Sequence, residues 1–85
     1  PKRHIESYFD VSNDERDELW EMVERVRTEL AERHSPDGFN IGINVGVSAG
    51  QTVPHMHIHV IPRYTGDVPN PAGGVRGVIP HKQKY

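Results

Sequence analysis

Eighty-five residues make one small domain, and a chain of this length buries only about 60% of the surface its unfolded form exposes, so its core must be thin. A composition of 34% hydrophobic and 26% charged residues is that of a globular chain and excludes a disordered one. The net charge of −2 supplies no overall field for nucleic acid or an anionic membrane; neither is expected as a partner, and an anionic ligand needs a local site.

The opening PKRHIESYFD has no apolar signal-peptide core, and no run approaches the roughly 18 apolar residues of a transmembrane helix. Cysteine is absent, which removes disulfides and thiolate metal sites and fits a reducing compartment, so the expected location is cytoplasmic. Pro1 stands where an initiator methionine would, and the chain therefore reads as a piece of a longer polypeptide.

In DVSNDERDELWEMVERVRTELAERH, Ser12 followed three residues later by Glu15 forms a capping box. Asp14, Glu15, Asp17 and Glu18 add the negative charge that a helix N-terminus favours. Leu19, Val23, Val26 and Leu30 recur at helical spacing while Glu21, Glu24, Arg25, Glu29 and Glu32 face water, which predicts a helix from about residue 13 to about residue 33. Trp20, Met22 and Ala31 flank the stripe and suit core or subunit contact.

SPDGF ends that periodicity with turn residues. FNIGINVG then alternates Phe39, Ile41, Ile43 and Val45 with Asn40, Gly42, Asn44 and Gly46, a strand over about 39–46 with one greasy face and one nearly bare. A second strand, about 54–64, carries PHMHIHVIP, and a hairpin through VSAGQT is the economical topology. Pairing by polarity sets Met56, Ile58 and Val60 beside the first greasy face, under the helix, and leaves His55, His57, His59 and Asn44 on the other. Residues 65–85 contain Pro and a Gly-Gly pair and read as an extended segment, with Val75, Val78 and Ile79 to pin part of it. The fold class is α+β, one long amphipathic helix packed on an antiparallel sheet.

Three imidazoles on one strand face would each cost free energy if left unpartnered, so the row asks for a chemical role. A zinc site made from this strand alone fails on length, because the backbones of His55 and His59 lie roughly 13 Å apart, whereas Zn–N bonds are about 2.0 Å. A metal held by two of them would need a ligand from elsewhere. Phosphoryl chemistry fits better. Neutral imidazole is a nucleophile toward phosphorus, and its neighbours can bind phosphate oxygens or protonate a leaving oxygen near neutral pH. Asn44, Gln51, Thr52 and nearby backbone N–H groups are equipped to cradle the anion.

HMHIHVI resembles the signature His-φ-His-φ-His-φ-φ, φ being apolar, of the histidine triad (HIT) superfamily. PKRHI, the amphipathic helix, GFNIGINVG, GQTVPH and IPRYTGD are similar to their family counterparts in order and spacing. Gln-Thr before the triad and Pro-Arg after it look closer to the fragile-histidine-triad branch, which splits dinucleoside polyphosphates. The resemblance implies a nucleotide hydrolase or nucleotidyltransferase that attacks the α-phosphate of a nucleoside or dinucleoside polyphosphate and passes through a nucleotidyl-histidine intermediate. By that resemblance His57 is the nucleophile, and His55 and His59 position phosphate oxygens and assist the leaving group. Asn44, Gln51 and Thr52 meet phosphate or ribose, and His4 supports the site from behind; His34 and His81 match nothing catalytic. No tightly bound cofactor is implied, and magnesium would arrive on the polyphosphate. A homodimer through the long helix and sheet edge is implied as well. Family members usually begin with a short helix and hairpin around the base; that amino-terminal part of the usual fold is absent before Pro1. The alternative is a non-catalytic nucleotide-binding module of a larger fused protein.

Overall fold

The computed structural model describes residues 3–84; Pro1 and Lys2, which open the PKRHI match, and Tyr85, which ends the carboxy-terminal segment, lie outside the described residues. Helix α1 spans Asn13–His34. Its start is the capping box expected from sequence: Glu15 N–H donates to Ser12 Oγ at 3.2 Å and Ser12 N–H donates to Glu15 Oε1 at 2.8 Å. Arg3 reinforces that end from outside the helix, its Nε and Nη2 each donating to the Glu15 carboxylate at 2.8 Å while Nη2 also reaches the Asp10 carbonyl at 2.7 Å. The guanidinium, followed by the Ser12 N–H, lowers the Glu15 pKa to about 2. At the far end Ser35 takes the left-handed conformation at φ 47°, its N–H donating to the Ala31 carbonyl at 3.1 Å, and Pro36 follows.

Strand β1 is Gly38–Ile43 and β2 is Ile58–Arg63, paired antiparallel in a two-stranded sheet. Opposed pairs are Phe39 with Pro62, Ile41 with Val60, and Ile43 with Ile58, so these share one face; Gly42 opposes His59 on the other. Helix α1 packs against β2, and Ile41 borders a groove with Trp20 and Val23, which puts the helix on the aliphatic face. The expected pairing of faces therefore holds.

Both strands are shorter than the sequence pattern suggests. Gly46, taken as the last strand residue, has φ 91° and turns the chain into a 3₁₀ turn at Val47–Ala49. With β1 ending at Ile43, residues before Ile58 have no partner there. They lie instead beside the amino-terminal segment: Met56 N–H donates to the Ile5 carbonyl at 2.7 Å.

The core is as thin as the length requires. Among the described residues the buried apolar side chains are Ile5, Leu19 and Val23. Of the expected stripe, Leu30 is half-buried and Val26 is exposed, as are Trp20 and Met22. With so few anchors, Leu19→Ala would cost about 2–5 kcal/mol, a large share of a small domain's stability.

After β2, Arg63 grips Asp67 through Nε at 2.7 Å and Nη2 at 2.8 Å, and its Nη1 donates to Asn40 Oδ1. That closes the RYTGD turn and holds the Asp67 carboxyl well below the usual carboxylate range. The segment beyond is not simply extended, because it folds into 3₁₀ turns at Gly74–Val78 and Pro80–Lys82. Nor do its apolar side chains pin it, since Val75, Val78 and Ile79 are all exposed. Backbone bonds such as Lys82 N–H to the Ile79 carbonyl at 2.8 Å, a side-chain bond from Arg76 Nε to the Lys82 carbonyl at 3.2 Å, and a close approach at glycine hold it: a Cβ on Gly73 would stand 1.8 Å from the Gln83 carbonyl oxygen. Among the described residues no helix is long and apolar enough to cross a membrane.

Candidate active site

The β1–β2 connection folds back over the start of β2. Gly46 at φ 91° and Gly50 at φ 95° make that return, conformations in which an L side chain is strained. The space enclosed is a cavity of about 180 Å³ lined by Asn44, Gly50, Gln51, Thr52, Val53, His55, His57 and His59. All three histidines of the sequence row and all three expected phosphate-binding residues thus meet in one place, away from the helix. His59 reaches it from β2, whereas His55 and His57 reach it from the stretch pinned to Ile5.

His57 makes the contact with the clearest chemical consequence. Its Nδ1 lies 2.8 Å from the backbone carbonyl of His55. A carbonyl oxygen only accepts, so Nδ1 carries the hydrogen and Nε2 holds the lone pair in the neutral ring. One hydrogen bond therefore selects the tautomer and leaves a nucleophilic nitrogen. The His59 ring lies nearly parallel to it, with centroids 6.5 Å apart and planes at 21°. His4 stands behind His55, the ring centroids 4.4 Å apart, and its Nε2–H donates to the Pro54 carbonyl at 2.6 Å. The fourth histidine thus packs against the row's first member.

Gln51 has a structural task at the rim. Its Oε1 accepts from Gly46 N–H at 2.9 Å, while Nε2 donates to the Glu6 carbonyl at 2.8 Å and the His55 carbonyl at 3.4 Å. The side chain expected to meet phosphate thus ties the cradle loop to the amino-terminal segment and to the carbonyl that orients His57. Gly50 and the His55 carbonyl are site elements that residue types alone did not single out. The only signal for Gly50 was a glycine just before Gln51, and a backbone carbonyl leaves no signal. Asn44 Nδ2 lies beside Gly50, where a Cβ would come within 3.6 Å. Among the described residues, no group of three or more His, Cys, Asp or Glu side chains is arranged to hold a metal ion.

A family model described as the HIT domain matches residues 1–66. The bifunctional bis(5'-adenosyl)-triphosphatase/adenylylsulfatase FHIT of Arabidopsis thaliana is 39% identical over 67 residues, covering 79% of this chain and 37% of that protein. The bis(5'-adenosyl)-triphosphatase of Dictyostelium discoideum is 39% identical over 70 residues, covering 82% of this chain and 47% of that protein. The crystal structure of the C. elegans NitFhit protein superposes with a TM-score of 0.75 at 37% identity, covering 82% of this chain and 17% of that one. A HIT family protein from Bacillus anthracis superposes with a TM-score of 0.71 at 36% identity, covering 75% of this chain and 45% of that one. The chain spans less than half the length of these curated relatives. With the histidine row, its cradle and the matched segment in agreement, the chain belongs to the HIT family, close to its fragile-histidine-triad branch.

Proposed function

We propose that this chain carries the catalytic centre of a nucleotide hydrolase or nucleotidyltransferase acting on the α-phosphate of a dinucleoside polyphosphate. The observation that carries the reading is the 2.8 Å contact from His57 Nδ1 to the His55 carbonyl, which leaves Nε2 with its lone pair beside the cradle. In the first step the Nε2–P bond forms and the P–O bond to the remaining phosphates breaks. The departing oxygen takes a proton from a neighbouring imidazole, His55 or His59. In the second step water, or another acceptor hydroxyl, attacks the same phosphorus, its proton passes to the imidazole that protonated the departing oxygen, and the N–P bond breaks with Nε2 recovering its lone pair. Asn44 and Thr52 hold the phosphoryl oxygens, Gln51 keeps the loop in place and His4 steadies His55. Two relatives named as bis(5'-adenosyl)-triphosphatases support the substrate class.

Magnesium enters with the polyphosphate and needs no protein ligand in this scheme. The exposed Trp20, Met22 and Val26 on α1, with Ile41 of β1, supply the apolar surface for a homodimer. Release of adenosine mononucleotide from a diadenosine polyphosphate, followed by chromatography, tests the reading. Turnover by the intact protein supports it; nucleotide binding with no turnover would favour the non-catalytic module.

A further inference from the structure

Residues 3–7 belong to no helix or strand, yet three consecutive members of this stretch reach the histidine loop. His4 Nε2–H donates to the Pro54 carbonyl at 2.6 Å, the Ile5 carbonyl accepts from Met56 N–H at 2.7 Å, and the Glu6 carbonyl accepts from Gln51 Nε2 at 2.8 Å. They stand in for the strand partner that residues 54–57 lack. The middle bond bears on the chemistry. Met56 N–H and the His55 carbonyl belong to one peptide unit, which is planar and trans, so its N–H and C=O point in opposite directions. Holding the N–H on Ile5 aims the carbonyl the other way, where His57 Nδ1 meets it at 2.8 Å.

The stretch is itself tied to α1 by Arg3, which forks onto the Glu15 carboxylate with two bonds of 2.8 Å and adds one of 2.7 Å to the Asp10 carbonyl. An isolated exposed ion pair adds little to stability, but a bidentate fork fixes direction as well as distance. Glu15 is held in turn by the helix cap through Ser12, so the carboxylate is a fixed post two residues from Ile5, whose side chain is buried. We infer that Arg3 and Glu15 are positioning residues for the reaction: their ion pair holds the Ile5 carbonyl in place and, through the His55–Met56 peptide, sets the tautomer of His57. The inference rests on His57 being the nucleophile, as proposed above. With the clamp released the peptide unit turns, Nδ1 loses its acceptor, and the neutral ring populates the form with its hydrogen on Nε2, which has no lone pair for the attack. Neither Arg3 nor Glu15 lines the histidine cavity, so the effect falls on kcat rather than on substrate binding.

The test uses the intact protein labelled with ¹⁵N at histidine. The imidazole nitrogen shifts of His57 are read at a pH where the ring is neutral, and kcat and KM for a diadenosine polyphosphate are measured on the same samples. The wild type should carry its hydrogen on Nδ1. Arg3→Ala should move a measurable share of His57 to the Nε2–H form and lower kcat about 10- to 100-fold, the scale of a small misplacement at a reacting atom, with KM little changed. Glu15→Gln keeps an acceptor for the Ser12 N–H, and hence the cap, and should move both readings the same way; Arg3→Lys, which keeps the charge without the fork, should recover part of the loss. Arg33→Ala breaks the ion pair with Glu29 at the far end of α1 and should change neither reading. An unmoved tautomer in Arg3→Ala and Glu15→Gln would overturn the inference, as would a shifted tautomer with wild-type kcat, or an equal effect in Arg33→Ala. A tautomer shift in variants of a protein whose wild type shows no turnover contradicts the hydrolase reading alone. Wild-type turnover with an unmoved tautomer in the variants contradicts the clamp alone.

Discussion

Gln51 Oε1 accepts from the Gly46 N–H at 2.9 Å, closing the loop that cradles the histidine row. The same amide donates to the Glu6 and His55 carbonyls, so the position needs both an acceptor and a donor. Gln51→Glu keeps the size and the acceptor and loses the donor, setting a carboxylate against two carbonyl oxygens. The expected cost is about 1–3 kcal/mol of stability. Turnover should fall as well, because the His55 carbonyl orients His57. Thermal unfolding and steady-state kinetics on this one variant check both; a normal melting temperature with normal turnover would show that the tie is dispensable.

The Arg3–Glu15 pair gives a pH dependence of known sign. Glu15 has its pKa lowered from 4.5 to about 2, first by the Arg3 guanidinium and then by the Ser12 N–H. A depressed carboxyl contributes stability that is fully present above its unfolded pKa and is lost as pH falls through the folded one. Melting temperature should therefore decline between about pH 4.5 and pH 2, and Glu15→Gln should flatten part of that decline. Identical acid profiles for the two proteins would remove Glu15 from the account.

Gly73 tests what holds the carboxy-terminal turns. Its φ is 92°, and an added Cβ would stand 1.8 Å from the Gln83 carbonyl oxygen. Backbone strain alone is on the order of 1–3 kcal/mol, and the overlap forces residues 70–84 to move. Gly73→Ala should speed amide hydrogen exchange in that segment while α1 stays protected. Uniform exchange with the wild type would mean the turns do not depend on this contact.

How much of this was legible in sequence follows from how local each cause is. The helix and its cap were readable because Ser12 and Glu15 sit within one turn, and the bounds of α1 differ by a single residue from the expected ones. The two sheet faces were readable from alternation. Strand lengths were not, because the end of β1 is set by the positive φ of Gly46, and the partner of Met56 is Ile5, far away in sequence. The histidine row was readable as a row and its convergence with Asn44, Gln51 and Thr52 in one cavity could be expected, yet the group that selects the His57 tautomer is a backbone carbonyl. Val75, Val78 and Ile79 looked like anchors by composition; the anchoring is done by glycine contacts and backbone hydrogen bonds that carry no periodic signature.

The central claim is that His57 alone forms a covalent bond to phosphorus. A dinucleoside polyphosphate labelled at the α-phosphorus, mixed with the intact protein and quenched in alkali, should leave label on the wild-type protein, and the label should be lost in acid. His57→Asn keeps a hydrogen-bonding amide without an imidazole. It should retain nucleotide affinity within about 1–2 kcal/mol, trap no label, and lose several orders of magnitude in turnover. His55→Asn and His59→Asn should still trap label, with turnover lowered roughly 100- to 10,000-fold. Equal labelling of wild type and His57→Asn would contradict the account, because the attacking atom would then lie elsewhere.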